Sequence, residues 1–259
     1  MVKIHPTAIV HPKAELGKDV EIGPYSIVET DVTIDDGCLI QSHVVIDSGT
    51  RLGKEVKIAH GAVVGTAPQD LKYRGEKTFL EIGDRTTIRE FATLNRGTDH
   101  SFKTVVGKDS LLMAYVHVAH DCVIGDHVVL SNAINMAGHV TIEDYVGIGG
   151  MTAIHQFVKI GRHCFVGGGV RVTKDVPPYV LATGEPLQYA GINKTGLERR
   201  GFTPDVLAEI KRAYKAIFRS PMTKAEALKD IKENMTMSPV IESIIRFAEN
   251  TDRGMIKGE

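Results

Sequence analysis

The chain has 259 residues, with 31 lysines and arginines against 32 aspartates and glutamates, for a net charge of −1. This length holds one large domain or two, and the balanced charge gives no whole-chain attraction to nucleic acid or to an anionic membrane. No apolar run is long enough to cross a bilayer, so no transmembrane segment is expected.

The opening MVKIHPTAIVHP lacks the apolar core of a signal peptide and enters a repeat at once, so a cytoplasmic protein is the expectation. Stepping by six from Ile4 meets Val10, Leu16, Ile22, Val28 and so on to Val64. The phase returns at Ile82, Ile88 and Leu94, and again from Val106 to Val172. All 26 positions are Ile, Val, Leu or Met, a run too long for chance. The physical reading is a mainly β chain, a parallel β-helix with three short strands and about eighteen residues per coil. Each ladder residue points inward, and stacked coils share a core that no single coil could bury. Glycine often follows the ladder residue, as at Gly17, Gly53, Gly107 and Gly125, and is expected at corners that need positive φ. Cys38, Cys122 and Cys164 occupy the fifth place of their blocks, where small residues stand elsewhere. They read as packing residues without disulfide or metal roles.

Two gaps interrupt the ladder, from Val64 to Ile82 and from Leu94 to Val106, and predict extruded loops near residues 66–78 and 98–104. Loops of this length on a tight solenoid usually carry function. Stacking by eighteen puts residues 66, 84, 102, 120, 138 and 156 in one column, so both loops converge on the corner of His120. The repeat stops at DVPPY, Asp175 to Tyr179, because prolines cannot donate to a ladder. Beyond it, Thr203-Pro204, Thr223 with Glu226, and Ser238-Pro239 are helix starts, each followed by apolar residues at helical spacing. The expected division is a β-helix over 1–189 and a C-terminal α-helical domain over 190–259.

Four histidines, His117, His120, His139 and His155, interrupt the central repeat. Coil spacing equals strand spacing, so His120, Gly138, His139, His155 and Gln156 fall within two coil steps, roughly 10 Å. A histidine can take and return a proton near neutrality. Asp121 could hold its tautomer, and a glycine N–H on the neighbouring coil could receive a developing oxyanion. Three imidazoles could instead hold zinc, as in a γ-class carbonic anhydrase on this kind of fold. A non-catalytic scaffold is a further alternative. His5, His11, His43, His60, His127 and His163 read as surface or corner residues.

The segments HVAHDC, MAGHV, AIHQF, QDLKY, DVPPY and GINKTGLERRGF resemble those of the acyl-carrier-protein-dependent UDP-N-acetylglucosamine O-acyltransferases, hexapeptide-repeat enzymes that begin lipid A synthesis. The resemblance covers nearly the whole chain. It implies a left-handed coil and a homotrimer with active sites between neighbouring β-helices. The substrates would be an acyl carrier protein and a UDP-sugar, with no cofactor and no metal. His120 matches the general base, Asp121 its carboxylate partner and Gly138 the oxyanion donor. Asp70, Lys72, His139, His155 and Gln156 match residues lining the sugar-nucleotide site, with His117 beside them. Asn193, Arg199 and Arg200 match nucleotide and phosphate contacts. Gly168 matches a position that helps set acyl length. Thr195 departs from the pattern, since family members carry a carboxylate there, which bears on one hydrogen bond to the nucleotide. The related N-acyltransferases carry an additional N-terminal domain, whereas this chain starts in the repeat. Other hexapeptide-repeat sugar acyltransferases share the ladder without these motifs.

Overall fold

The computed structural model describes residues 1–258. The chain winds into a left-handed parallel β-helix whose short strands stack into three faces. The first face starts with Lys3–Ile4, the second with Ile9–Val10 and the third with Glu15–Leu16. Most strands have two residues, just enough to turn one ladder side chain inward between corners. Apart from Ile4, Val10 and Leu16 in the first coil, every ladder residue is buried. The three cysteines are buried in the same core, and each Sγ donates to a backbone carbonyl, of Gly53, Ala137 and Pro177 respectively. Burial pushes the Cys38 thiol up to about 11 and Cys122 to about 12, so neither is a thiolate near neutrality.

The corners differ from expectation in one respect. Positive φ falls three residues after the ladder residue and is taken by glycine at Gly37, Gly49, Gly61 and Gly169 but more often by larger residues, among them Asp19, Tyr25, Asp121, His139 and Tyr145. The glycines that directly follow the ladder residue answer instead to close stacking of the coils. A Cβ on Gly53 would lie 2.4 Å from Asp84 Oδ1, and one on Gly107 would lie 2.4 Å from the Gly125 carbonyl oxygen.

The loops occupy residues 67–78 and 96–102, each between a strand of the second face and one of the third. His117 stacks on Asn135, eighteen residues on, but Thr93 stacks on His117 across twenty-four and Val63 on Thr93 across thirty. The first loop thus inserts twelve residues and the second six. Both are multiples of the hexad, so the ladder keeps its phase while the eighteen-residue column does not. Residue 84 therefore leaves the expected column. Asp84 sits at the corner between the third and first faces, where its carbonyl accepts from Asp109 N–H (2.9 Å). Residues 66 and 102 remain at the corner of His120, because Thr66 closes one face and Phe102 opens the other.

After the prolines, the strand Val180–Thr183 joins the first face beside Phe165–Val166. It turns back as an antiparallel hairpin with Gln188–Ile192, on whose outer edge Lys257–Gly258 pairs. Four helices complete the chain: α1 (Lys194–Arg199), α2 (Pro204–Phe218), α3 (Lys224–Asn234) and α4 (Pro239–Glu249). Thr203, Thr223 and Ser238 each cap a helix through the side-chain oxygen, and Thr223 with Glu226 closes a full capping box. Such caps contribute about 1 kcal/mol each. Tyr214 of α2 is fully buried and donates its hydroxyl to the Pro178 carbonyl (2.6 Å), which anchors the helices to the end of the solenoid.

Candidate active site

The corner between the second and third faces gathers chemistry because two loops from earlier coils fold over a later one. Asp121 has left-handed backbone geometry (φ 58°), and its side chain is fully buried. Its Oδ2 accepts from His120 Nδ1 (2.7 Å) and Thr98 Oγ1 (2.7 Å). Its Oδ1 accepts from Thr98 N–H (3.0 Å), Ser101 N–H (3.3 Å) and Ser101 Oγ. Burial works against the charge, but the bonds from His120, Ser101 and Thr98 outweigh it and hold the carboxyl far below the usual carboxylate range. An ionised carboxylate can only accept, so His120 Nδ1 carries the proton and Nε2 is left as a base. Asp70 of the first loop approaches that atom, with Oδ2 at 4.0 Å.

Gly138 is buried one coil further on, beneath the His120 ring. A Cβ there would sit 2.6 Å from Cε1 and 2.8 Å from Nε2 of His120, so only glycine lets the imidazole approach this backbone so closely. Its neighbours spend their N–H groups on coil stacking, Ala137 on Ile154 O (3.0 Å) and His139 on His120 O (3.0 Å). The Gly138 N–H donates to no acceptor among the described residues. A free donor beneath a base is the arrangement that acyl transfer uses for a tetrahedral oxyanion.

His139 stacks on Phe157 (4.5 Å between centroids) and meets the edge of His120 (5.1 Å) and His100 (4.6 Å). Its buried Nδ1 has no hydrogen-bond partner among the described residues, and burial pushes its pKa down. Beside it a cavity of about 230 Å³ is lined by Asp70, Lys72, Tyr73, Thr98, Asp99, His100, His139 and Phe157. Arg96 ties the two loops together, donating to Tyr73 Oη (3.2 Å) and the Gly65 carbonyl (2.8 Å).

The remaining predicted residues lie further out. His117 is on the second face, bonded to Thr93 Oγ1 (2.8 Å), and burial pushes its pKa down. His155 and Gln156 are exposed one coil beyond Gly138 and do not line the cavity. Asn193, Arg199 and Arg200 line a separate groove of about 600 Å³ on the first face, with Thr195, Phe165 and Val129. A single chain therefore does not bring them to His120. Gly168 lies at the corner between the first and second faces, and a Cβ on it would sit 2.9 Å from the Gly150 carbonyl oxygen. Sequence reasoning missed Thr98, Ser101, Asp99 and His100. The alternation of hydroxyl and histidine in GTDHSFKT was the available signal.

A metal is the competing occupant of the corner. His120, Asp121 and His139 present ligand atoms within 4.8 Å of one another. The donor set does not fit one well, because both lone pairs of Asp121 Oδ2 are already engaged, and a cation binding there would have to displace Thr98 Oγ1 or His120 Nδ1.

Comparison with known proteins decides the family. The hexapeptide model of bacterial transferases matches residues 13–48 and 103–132, and the second-domain model of UDP-N-acetylglucosamine O-acyltransferase matches 175–256. The acyl-[acyl-carrier-protein]–UDP-N-acetylglucosamine O-acyltransferase of Trichlorobacter lovleyi is 51% identical over 99% of this chain and 100% of its own length. That of Thiobacillus denitrificans is 45% identical over the same shares. The chain belongs to this O-acyltransferase family. Crystal structures of UDP-N-acetylglucosamine acyltransferases superpose throughout. The Bacteroides fragilis protein has a TM-score of 0.96 at 40% identity, covering 98% of this chain and 99% of its own. The Arabidopsis protein has 0.88 at 34% identity, covering 98% and 100%. Membership in the O-acyltransferase family sets aside the zinc hydratase and the inert scaffold.

Proposed function

We propose that this chain transfers a 3-hydroxyacyl group from acyl carrier protein to the 3-position of UDP-N-acetylglucosamine, or of its 3-amino analogue, in the first step of lipid A biosynthesis. The observation that carries the mechanism is the Asp121–His120 pair, with Nε2 left as a base above the unspent N–H of Gly138. His120 Nε2 takes the proton of the sugar 3-hydroxyl as its oxygen attacks the thioester carbonyl. The carbonyl electrons move to oxygen, where Gly138 N–H receives the charge. Collapse of the tetrahedral intermediate breaks the carbon–sulfur bond, and the imidazolium returns its proton to the departing thiolate. No acyl-enzyme is required, and the chain's own residues supply every proton step.

Asp70, Lys72, His100 and His139 around the cavity suit a polar sugar, and the open second face beyond His117 suits an acyl chain. Asn193, Arg199 and Arg200 serve the nucleotide from a neighbouring copy, which makes the homotrimer part of this reading, as is a cytoplasmic setting. The glycine run 167–169 leaves the corner between the first and second faces without side chains, consistent with a long acyl group. The test is a mass-spectrometric assay of purified protein with acyl-carrier-protein thioesters of graded length and UDP-sugars bearing a 3-hydroxyl or 3-amine. The expected product is a mono-acylated UDP-sugar, and its absence with every thioester and acceptor would overturn the reading.

A further inference from the structure

Resting on the reading of His120 as the base, we infer that the second extruded loop is a clamp for its carboxylate partner, and that Thr98 and Ser101 are positioning residues for catalysis. Asp121 belongs to the coil after the loop, yet four of the five hydrogen bonds on its carboxylate come from the loop: Thr98 N–H (3.0 Å), Thr98 Oγ1 (2.7 Å), Ser101 N–H (3.3 Å) and Ser101 Oγ. The fifth comes from His120 Nδ1 (2.7 Å). A sixth contact fixes the backbone, where Asp121 N–H donates to Thr104 Oγ1 (2.9 Å) just past the loop. The loop is six residues longer than a plain corner needs, and two of its residues, Thr98 and Ser101, turn onto this one side chain. A carboxylate surrounded by donors has no lone pair free to draw the imidazole into another rotamer. It also cannot take the proton that keeps Nδ1 a donor.

The geometry distinguishes positioning from packing. Thr98 is buried, but Ser101 is exposed, and its Oγ turns inward to Oδ1 of Asp121. The other groups facing the pair are Asp70 (4.0 Å from His120 Nε2) and His139 (Nδ1 3.8 Å from Asp121 Oδ2), with His100 and His117 beyond them. None of these donates a hydrogen bond to the Asp121 carboxylate among the described residues, so the loop alone supplies the clamp.

The experiment measures kcat, KM and the pH dependence of kcat/KM for Thr98→Val, Ser101→Ala, the double variant and Thr98→Ser, each also in a His120→Ala background. Each lost hydroxyl is expected to lower kcat about tenfold and the pair about a hundredfold, with KM for the UDP-sugar within about twofold. Fewer donors make Asp121 a stronger acceptor toward imidazolium, so the acid limb of the profile moves to higher pH. Thr98→Ser keeps the Oγ donor and is expected to restore kcat and the wild-type limb, which a packing role for the threonine methyl would not do. In the His120→Ala background the loop substitutions are expected to cost nothing further, because residues acting through one another are not additive. Wild-type kcat and an unmoved limb in the double variant, with His120→Ala inactive, would overturn the clamp and leave the base. A fully active His120→Ala would overturn the base reading itself. Additive losses in the His120→Ala background would assign the loop to general folding and also overturn the clamp.

Discussion

At the scale of single residues, the proposed mechanism divides the site between groups that would do chemistry and groups that would only aim it. His120 lies outside the inward ladder, so His120→Ala leaves the core intact. General-base catalysis supplies about 10²–10⁴-fold, and a loss of that size in kcat is expected, with thermal melting by circular dichroism within about 2 °C of wild type. Near-normal turnover would remove His120 from the mechanism. Because a metal would have to break a hydrogen bond already closed around Asp121, exhaustively chelated protein should retain full acyltransferase activity. A loss on chelation that zinc restores would reverse the assignment. Lys72 is exposed in the first loop beside the cavity. Its replacement by alanine should raise KM for the UDP-sugar while kcat and the melting temperature hold. The histidines were legible in the sequence because they stand between ladder residues whose period is fixed by geometry. Thr98 and Ser101 were not, because their partner lies twenty or more residues away across an insertion whose register no period fixes. Gly138 was read from the sequence as a donor, and its unspent N–H supports that reading, but its close approach to the imidazole had no signal in the sequence. Gly168 matches a position that helps set acyl length in the family. A side chain there would press on the Gly150 backbone, so Gly168→Met tests coil stacking together with acyl length.

At the scale of elements, the ladder and the helix caps could be written down in advance because both depend on local rules. Three of the four helix starts follow from a hydroxyl residue placed against a proline or a glutamate. Helix α1 and the hairpin over Val180–Ile192 lacked such signals: α1 has only six residues, and the hairpin exists by pairing with the first face. The contact between the helical unit and the solenoid centres on His163, a corner residue (φ 58°) stacked on Tyr145 (4.8 Å) and meeting Phe202 edge-on (5.1 Å). Burial, then the charges of Arg200 and Arg162, push His163 down to about 4. A depressed histidine pKa means that the unfolded chain binds the proton more readily. The stability this residue contributes is intact above its ordinary pKa of about 6.5 and is lost as pH falls from there through about 4. His163→Phe keeps a ring in the stack without the titration. Urea midpoints of wild type and variant should diverge between about pH 7.5 and 5, the wild type falling faster, and parallel curves would remove His163 from the pH response. On the outer side of α2, Lys211 and Lys215 join Lys194 and Arg219 around a groove of about 640 Å³ floored by Tyr189 and Leu207. An acidic carrier protein would meet this face, with Arg212 alongside. Reversing Lys211 and Lys215 to glutamate should raise KM for the acyl carrier protein, and the wild-type KM should rise with salt. A salt-independent KM would argue for docking elsewhere.

At the scale of the whole molecule, the strands of each coil pair only with the coils before and after it, while the loops reach one coil further, Asp70 to His120 and Arg96 to Asp47, so stability is close to a sum of neighbour terms. The two ends of that sum are unlike. At the first coil Ile4 is 45% exposed, and Val10 and Leu16 are only partly covered. At the last coil the hairpin closes the first face. Asp175, fully buried, accepts from the N–H groups of Lys159 (2.8 Å) and Arg253 (3.3 Å), which stitches the returning C-terminal segment to the coil below. Tyr214 adds its own bond to the same end. The consequence is a direction of disassembly. Such a solenoid comes apart like a zipper with one open end: a front starts at residues 3–28 and travels toward the stitched end, and rewinding retraces it. Hydrogen exchange followed by mass spectrometry should show amides exchanging in chain order along the solenoid, earliest before Val28 and last near Val180. Simultaneous exchange of all coils would mean one cooperative block instead. The coils before Val63 stand between the open end and the loops. They therefore act as a fuse, which can fray and rewind many times before the front reaches the corner where His120 holds its proton.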